Sequence, residues 1–182
     1  RAAEEKAQAQ GVQIETLGKR LNAALASKVQ ELSRYRSEFF GKLREVLGNR
    51  PGIRIVGDRF VFQSEVLFDV GSAELGPAGK EQMLSLAKTL LDLSARIPQD
   101  IDWVLRVDGH TDKTPIHTAR FPSNWELSTA RAISVVKFLA EQGLPPVRLV
   151  AAGFADNRPI DSGNDEIALR RNRRIELKLT QR

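Results

Sequence analysis

The 182-residue sequence predicts an α/β fold: a βαβαβ(α)β chain forming a mixed sheet with helices packed on one side, preceded by an amphipathic N-terminal helix. Three observations lead there. The first 48 residues contain no Pro and carry apolar residues at helical spacing. Around Pro51-Gly52 the period changes from helical to alternating. Beyond it, short β-rich runs are separated by helical stretches of about 20 residues, the pattern of a sheet covered by helices.

In the first stretch Ile14, Leu17, Leu21, Leu25, Val29, Leu32, Phe39, Leu43 and Val46 step by three, four or seven and line one stripe. Leu25, Leu32, Phe39 and Val46 keep a seven-residue spacing, but Lys28, Arg36 and Lys42 interrupt neighbouring positions, so a helix packing against another surface is expected, with a strict coiled coil the weaker alternative. Gly48-Asn49-Arg50-Pro51-Gly52 ends it, dividing a helical linker or dimerisation segment, residues 1–50, from a domain at 51–182.

Ile53–Val56 and Arg59–Phe62 flank Gly57-Asp58 and read as a tight hairpin, with Ser64–Phe68 continuing extended. Pro77 to about Arg96 is helical, with Met83, Leu86, Leu90 and Leu93 on one face. Trp103–Val107 is a strand. Ser123 or Asn124 opens a helix that Gly143 stops and Pro145-Pro146 keeps from resuming; Asn124 is a sound cap candidate, since a side-chain oxygen there can accept from a first-turn amide. Val147–Ala152 is a strand, Asn164 to about Asn172 a short helix, and Arg174–Thr180 a last strand with Ile175, Leu177 and Leu179 alternating. Crossovers of about 20 residues suit parallel neighbours, whereas the shorter final excursion allows antiparallel pairing.

Composition narrows the function classes. Hydrophobic residues at 41% and charged residues at 28% exclude a wholly disordered chain, and no apolar run reaches the ~18–20 residues of a membrane span. The absence of Cys removes thiol catalysis and Cys-ligated metals. A net charge of +5 favours anionic partners without selecting one.

Three strings carry chemistry. In Asp108-Gly109-His110-Thr111-Asp112, alternation puts Asp108, His110 and Asp112 on one side, a set suited to a divalent metal. His117 is the only other His and no metal motif completes the shell, so a metal-dependent hydrolase is the weaker alternative and a bonded scaffold role for His110 is preferred. In Asn124–Ala132, Asn124 and Arg131 share a helix face. The run Arg170-Arg171-Asn172-Arg173-Arg174 is basic, yet acidic residues flank it and no aromatic interleaves it for base stacking; nucleic acid is not expected as a partner.

Together these strings resemble the OmpA-like domain, a peptidoglycan-binding module of envelope proteins. The resemblance rests on Val66-Leu67-Phe68-Asp69-Val70-Gly71-Ser72-Ala73-Glu74-Leu75, Gly109-His110-Thr111-Asp112, Asn124-Trp125-Glu126-Leu127-Ser128 through Arg131-Ala132, Gly153-Phe154, Pro159 and Asn172-Arg173-Arg174-Ile175-Glu176, and covers roughly residues 53–182. The segment Thr114–Ile116 through Arg120–Ser128 resembles the MotB-type members of the family, flagellar stator proteins.

The resemblance implies a noncatalytic wall anchor with no cofactor and no metal, periplasmic, and part of a protein held in the inner membrane of a Gram-negative bacterium. It implies a ligand, the diaminopimelate residue of the peptidoglycan stem peptide. Asp112 would receive the ligand's ammonium and Arg131 its carboxylate, with Asp69, Thr111, Asn124 and Arg173 in support; His110, Leu127 and Ser128 would shape the pocket. It further implies a homodimer joined through the N-terminal helices and a MotA-type ion-channel partner reached through a transmembrane helix outside this chain. A general envelope tether without a motor role is the alternative. Direct pairing of Asp112 with Arg131, pinning a loop to a helix without any ligand, is the competing structural account.

Overall fold

The computed structural model describes residues 1–48 and 50–181; Asn49, inside the predicted Gly48–Gly52 break, and Arg182 lie outside the described residues. The chain opens with helix α1 (Ala2–Leu47), followed by strands β1 (Ile53–Val56) and β2 (Arg59–Gln63). Val56 pairs with Arg59 across Gly57, whose φ of +60° suits a residue without Cβ, so the predicted hairpin forms.

Ser64–Leu67 differs from its expected extended form: it is a single helical turn, α2. Ser64 and Leu67 are buried there, and the turn redirects the chain towards helix α3 (Pro77–Ser94), which starts with Pro in its first turn. Strand β3 (Trp103–His110) is three residues longer than predicted. Helix α4 (Asn124–Glu141) leads through a 3-10 turn (Pro146–Arg148) to β4 (Leu149–Gly153), and helix α5 (Glu166–Asn172) precedes β5 (Arg174–Gln181).

The sheet order is β1-β2-β5-β3-β4. Only β3 and β4, joined through α4, are parallel; β5 is antiparallel to both β2 and β3. The crossover from β2 to β3 therefore does not join neighbours, because the last strand is inserted between them. This insertion places Arg174, the first residue of β5, beside His110 at the end of β3.

Alternation separates the two faces of the sheet. Phe60, Phe62, Leu105, Val107, Ile175, Leu177 and Leu179 meet Met83, Leu86, Leu90, Val135 and Leu139 of the helices in one core. Burying each such side chain contributes about 1.5–3 kcal/mol. Leu32, Phe39, Leu43 and Leu47 of α1 join the same core, so the last third of the helix packs with the domain. Val46, expected on that stripe, is 41% exposed and Leu47 is buried instead. From Leu43, a step of four follows the 3.6-residue turn of a straight helix, whereas strict sevens drift off the face. Nearer the N-terminus, Ile14, Leu17, Leu21, Leu25 and Val29 are all more than half exposed.

Candidate ligand-binding site

The site lies where β3 leaves the sheet. After His110 the chain turns out through Thr111 and Asp112, held by Thr111 N–H donating to Ala155 O at 2.9 Å. The cap of α4 is Ser123, whose hydroxyl accepts from Trp125 N–H at 3.2 Å, and not Asn124. Asn124 uses its amide elsewhere: Nδ2 donates to Asp112 O at 3.3 Å and Thr114 O at 3.0 Å, pinning the outgoing loop to the helix. Gly109 allows the sheet to approach α4, since a Cβ there would fall on the Ser128 carbonyl. Ser128 is fully buried, with its hydroxyl donating to Trp125 O and accepting from Ala155 N–H.

A cavity of about 570 Å³ opens above this corner, with Thr111, Asp112, Asn124, Leu127, Arg131 and Arg173 in its wall. Asp112 and Arg131 thus share one cavity but are not bonded to each other. Asp112 Oδ2 accepts from Arg173 Nη1 at 2.6 Å and Oδ1 from Thr114 N–H at 2.7 Å. Arg131 Nε donates to Ser72 O at 2.8 Å and Nη2 to Asp69 O at 3.4 Å, while the guanidinium lies 5.2 Å over the Phe68 ring. Among the described residues no carboxylate lies within ion-pair distance of Arg131, although the residue is only 5% exposed. Burial, reinforced by the charge of Arg173 and partly offset by Glu65 and Asp112, pushes its pKa down to about 10, so it stays cationic at neutral pH.

Arg173 is the hub of the opposite wall. Its Nε donates to Glu65 at 2.5 Å, Nη1 to Asp112 at 2.6 Å and Nη2 to Glu166 at 2.5 Å. One cation holding three carboxylates leaves that wall net negative, and a carboxylate has about four acceptor positions, so Asp112 retains capacity for a further donor. Glu65 and Glu166 were not singled out from the sequence. Glu166 stands seven residues before Arg173, a legible helical spacing; Glu65 is 108 residues away and carries no local signal.

Of the residues named from the sequence, Asp69 stands apart: its carbonyl accepts from Arg131, but its side chain is exposed and outside the cavity wall. Apolar surface between the charged ends comes from Phe68, Val70, Ile116 and Leu127. The hydroxyl oxygens of Ser64 and Thr111, both in the wall, are buried without a hydrogen-bond partner among the described residues.

His110 does not shape this pocket. It belongs to the sheet face away from the helices, stacked on Phe154 with ring centroids 5.0 Å apart. Its acidic neighbours are Asp108 and Glu176, while Asp112 turns away to Arg173 because β3 has ended, so the predicted Asp108–His110–Asp112 trio does not form. Asp108, His110 and Glu176 place one ligand atom each within 4.8 Å of one another. Arginines occupy the carboxylates: Arg106 Nε bonds Asp108 at 2.6 Å, Arg174 Nε bonds Glu176 at 2.6 Å, and Arg59 also pairs with Glu176. Three guanidinium groups around two carboxylates disfavour a further cation, and the arrangement reads as a buried charge network. Burial, together with Arg174, lowers the His110 pKa from 6.5 to about 4, making the ring neutral at pH 7.

The four arginines of the basic run separate accordingly. Arg173 enters the cavity wall, Arg174 is buried against Glu176, Arg171 pairs with Asp161 at 2.8 Å, and Arg170 lines the cavity rim. They do not present one continuous basic face.

A mixed sheet with helices on one side and a dipolar cavity at the β3–α4 corner defines a small binding domain of the α/β class. The chain belongs to the OmpA family, whose model matches residues 67–173, and this is a noncatalytic domain. It is 41% identical over 118 residues to the protein YtxE of Bacillus subtilis, covering 64% of this chain and 46% of that one. It is 29% identical over 122 residues to motility protein B of the same organism, covering 66% and 44%. The chain thus spans less than half the length of these relatives. The fold matches a MotB-like protein from Desulfovibrio vulgaris with a TM-score of 0.70 at 24% identity, covering 84% and 95% of the two chains. It also matches the cell wall anchor of the T6SS from Pseudomonas aeruginosa with a TM-score of 0.60 at 29% identity, covering 80% and 95%.

Proposed function

We propose that this domain anchors a membrane complex to the cell wall by binding the diaminopimelate residue of peptidoglycan stem peptides. One observation carries the proposal: a buried guanidinium, Arg131, without a carboxylate partner among the described residues, shares a cavity with the net-negative wall of Asp112, Glu65 and Glu166. A buried charge is costly when unpaired, and a ligand carboxylate supplies the missing partner through the planar fork of Arg. The ligand's ammonium meets Asp112, and its aliphatic part covers Phe68, Val70, Ile116 and Leu127. Thr111 and Asn124 hold the loop that carries Asp112, Arg173 sets its carboxylate, and Asp69 contributes its carbonyl to the placement of Arg131. The mechanism is binding without bond-making or bond-breaking.

The cell wall anchor among the similar structures supports a wall-tethering reading over other ligands for the cavity. Strength would come from repetition, since two linked domains on a polymer of stem peptides gain effective concentration. The exposed stripe Ile14, Leu17, Leu21, Leu25 and Val29 is the surface through which two copies join. On this reading α1 transmits load between the wall and a MotA-type channel in the inner membrane, with the domain in the periplasm. Among the described residues no helix is long and apolar enough to cross a membrane. The alternative, an envelope tether without a motor role, uses the same cavity.

Sedimentation with purified sacculi tests the anchor directly. Wild-type protein co-sediments, and Asp112→Ala and Arg131→Ala remain in the supernatant while keeping the native circular dichroism spectrum. Unchanged co-sedimentation of both variants overturns the site.

A further inference from the structure

Beside the cavity lies a second groove of about 400 Å³, formed by Arg54 on β1, Gln63 at the end of β2 and Glu166, Ile167, Arg170 and Arg171 of α5. Glu166 and Arg170 belong to both walls, so the two depressions adjoin across α5. Carboxylates and guanidinium groups balance in the cavity, whereas the groove is net positive. Glu166 is engaged by Arg173 from the cavity side and Arg171 by Asp161. Arg54 and Arg170 have no carboxylate within ion-pair distance among the described residues, leaving two uncommitted guanidinium groups in a groove whose one carboxylate is engaged by Arg173.

We propose that this groove is a second subsite that takes a carboxylate of the same peptide ligand, on the residue joined to the one held by Arg131 and Asp112. The inference rests on the proposed function above. An acidic group on the residue joined to the one in the cavity reaches the groove past Arg170, which lines both depressions. Arg170 stands at the junction, Arg54 faces it from the sheet, and Ile167 and the stem of Arg170 cover the intervening aliphatic part. The subsite would distinguish stem peptides whose acidic residue is free from those in which it is amidated, because an amide offers no charge to either guanidinium. Two exposed pairs of this kind are worth about five- to tenfold in affinity together.

The test is calorimetric titration of the full chain with three probes: free diaminopimelate, the D-γ-glutamyl-diaminopimelate dipeptide, and the same dipeptide with the glutamyl α-carboxylate amidated. Wild-type protein binds the acid dipeptide about five- to tenfold more tightly than the amide. The variant Arg54→Gln, altered at an exposed position that lines the groove and not the cavity, cuts that preference to about two- to threefold and keeps its affinity for free diaminopimelate. Equal affinities for acid and amide in the wild type, or an undiminished preference in Arg54→Gln, overturn the subsite alone. Failure of every probe to bind wild-type protein overturns the underlying site as well.

Discussion

Replacing Arg131 by Ala separates a binding group from a structural one. In the folded domain its guanidinium is held by the Ser72 and Asp69 carbonyls and the Phe68 ring. Losing those contacts costs about 1–3 kcal/mol, but the variant no longer buries an unpaired charge, so net stability changes by only about 1 kcal/mol. Binding is different. A carboxylate ligand makes a charge-assisted, two-pronged contact in a partly desolvated site, and truncating such a partner costs about 3 kcal/mol, roughly 100-fold in Kd. Arg131→Lys keeps the charge and loses the fork, so its affinity falls between wild type and Ala. Titration calorimetry with diaminopimelate, paired with urea unfolding of each variant, measures both quantities. An Ala variant that binds within twofold of wild type, with unchanged stability, refutes the assignment of Arg131 as the carboxylate receptor.

Three further outcomes are expected. His110 is neutral when folded, with a pKa near 4 against 6.5 in an ordinary environment, so between those values the unfolded chain binds the extra proton and stability falls as pH drops from about 6.5 to about 4. The loss attributable to this residue is about 3 kcal/mol at most, and urea midpoints of His110→Asn should lack it; identical pH slopes for variant and wild type would contradict the burial account. Gly109→Ala drives a methyl into the Ser128 carbonyl and should destabilise the domain by about 3 kcal/mol in chemical unfolding, with a cost below 0.5 kcal/mol counting against close β3–α4 packing. Leu21→Ser/Leu25→Ser, at exposed positions of α1, should keep the native circular dichroism spectrum and convert the proposed dimer to monomer; an unaltered sedimentation coefficient would exclude the stripe as the contact.

Much of the architecture was legible in local pattern. Alternating Ile175, Leu177 and Leu179, the Gly57 turn and the helical spacing of Met83, Leu86 and Leu90 each act over a few residues, and each formed the predicted element. The Asp112 and Arg131 motifs were equally plain, lying on one chain segment whose strand–loop–helix order already brings them near each other. Where two local options were close in energy, packing chose. Ser64–Leu67 became a helical turn because that buries Ser64 and Leu67, and Ser123 took the cap because the Asn124 amide had the Asp112 and Thr114 carbonyls to bond.

Only the tertiary structure decided which charges meet. Insertion of β5 between β2 and β3 brings Arg173 to Asp112 and Glu65, and Arg174 and Glu176 to His110. The end of β3 sends Asp112 to the cavity while Asp108 and His110 stay on the opposite face. Residue identity and short-range spacing thus set the elements and brought Asp112 and Arg131 to one cavity. The sign of each wall depended on strand order, because Coulomb interactions act between groups that folding brings within a few ångströms, however far apart they stand along the chain.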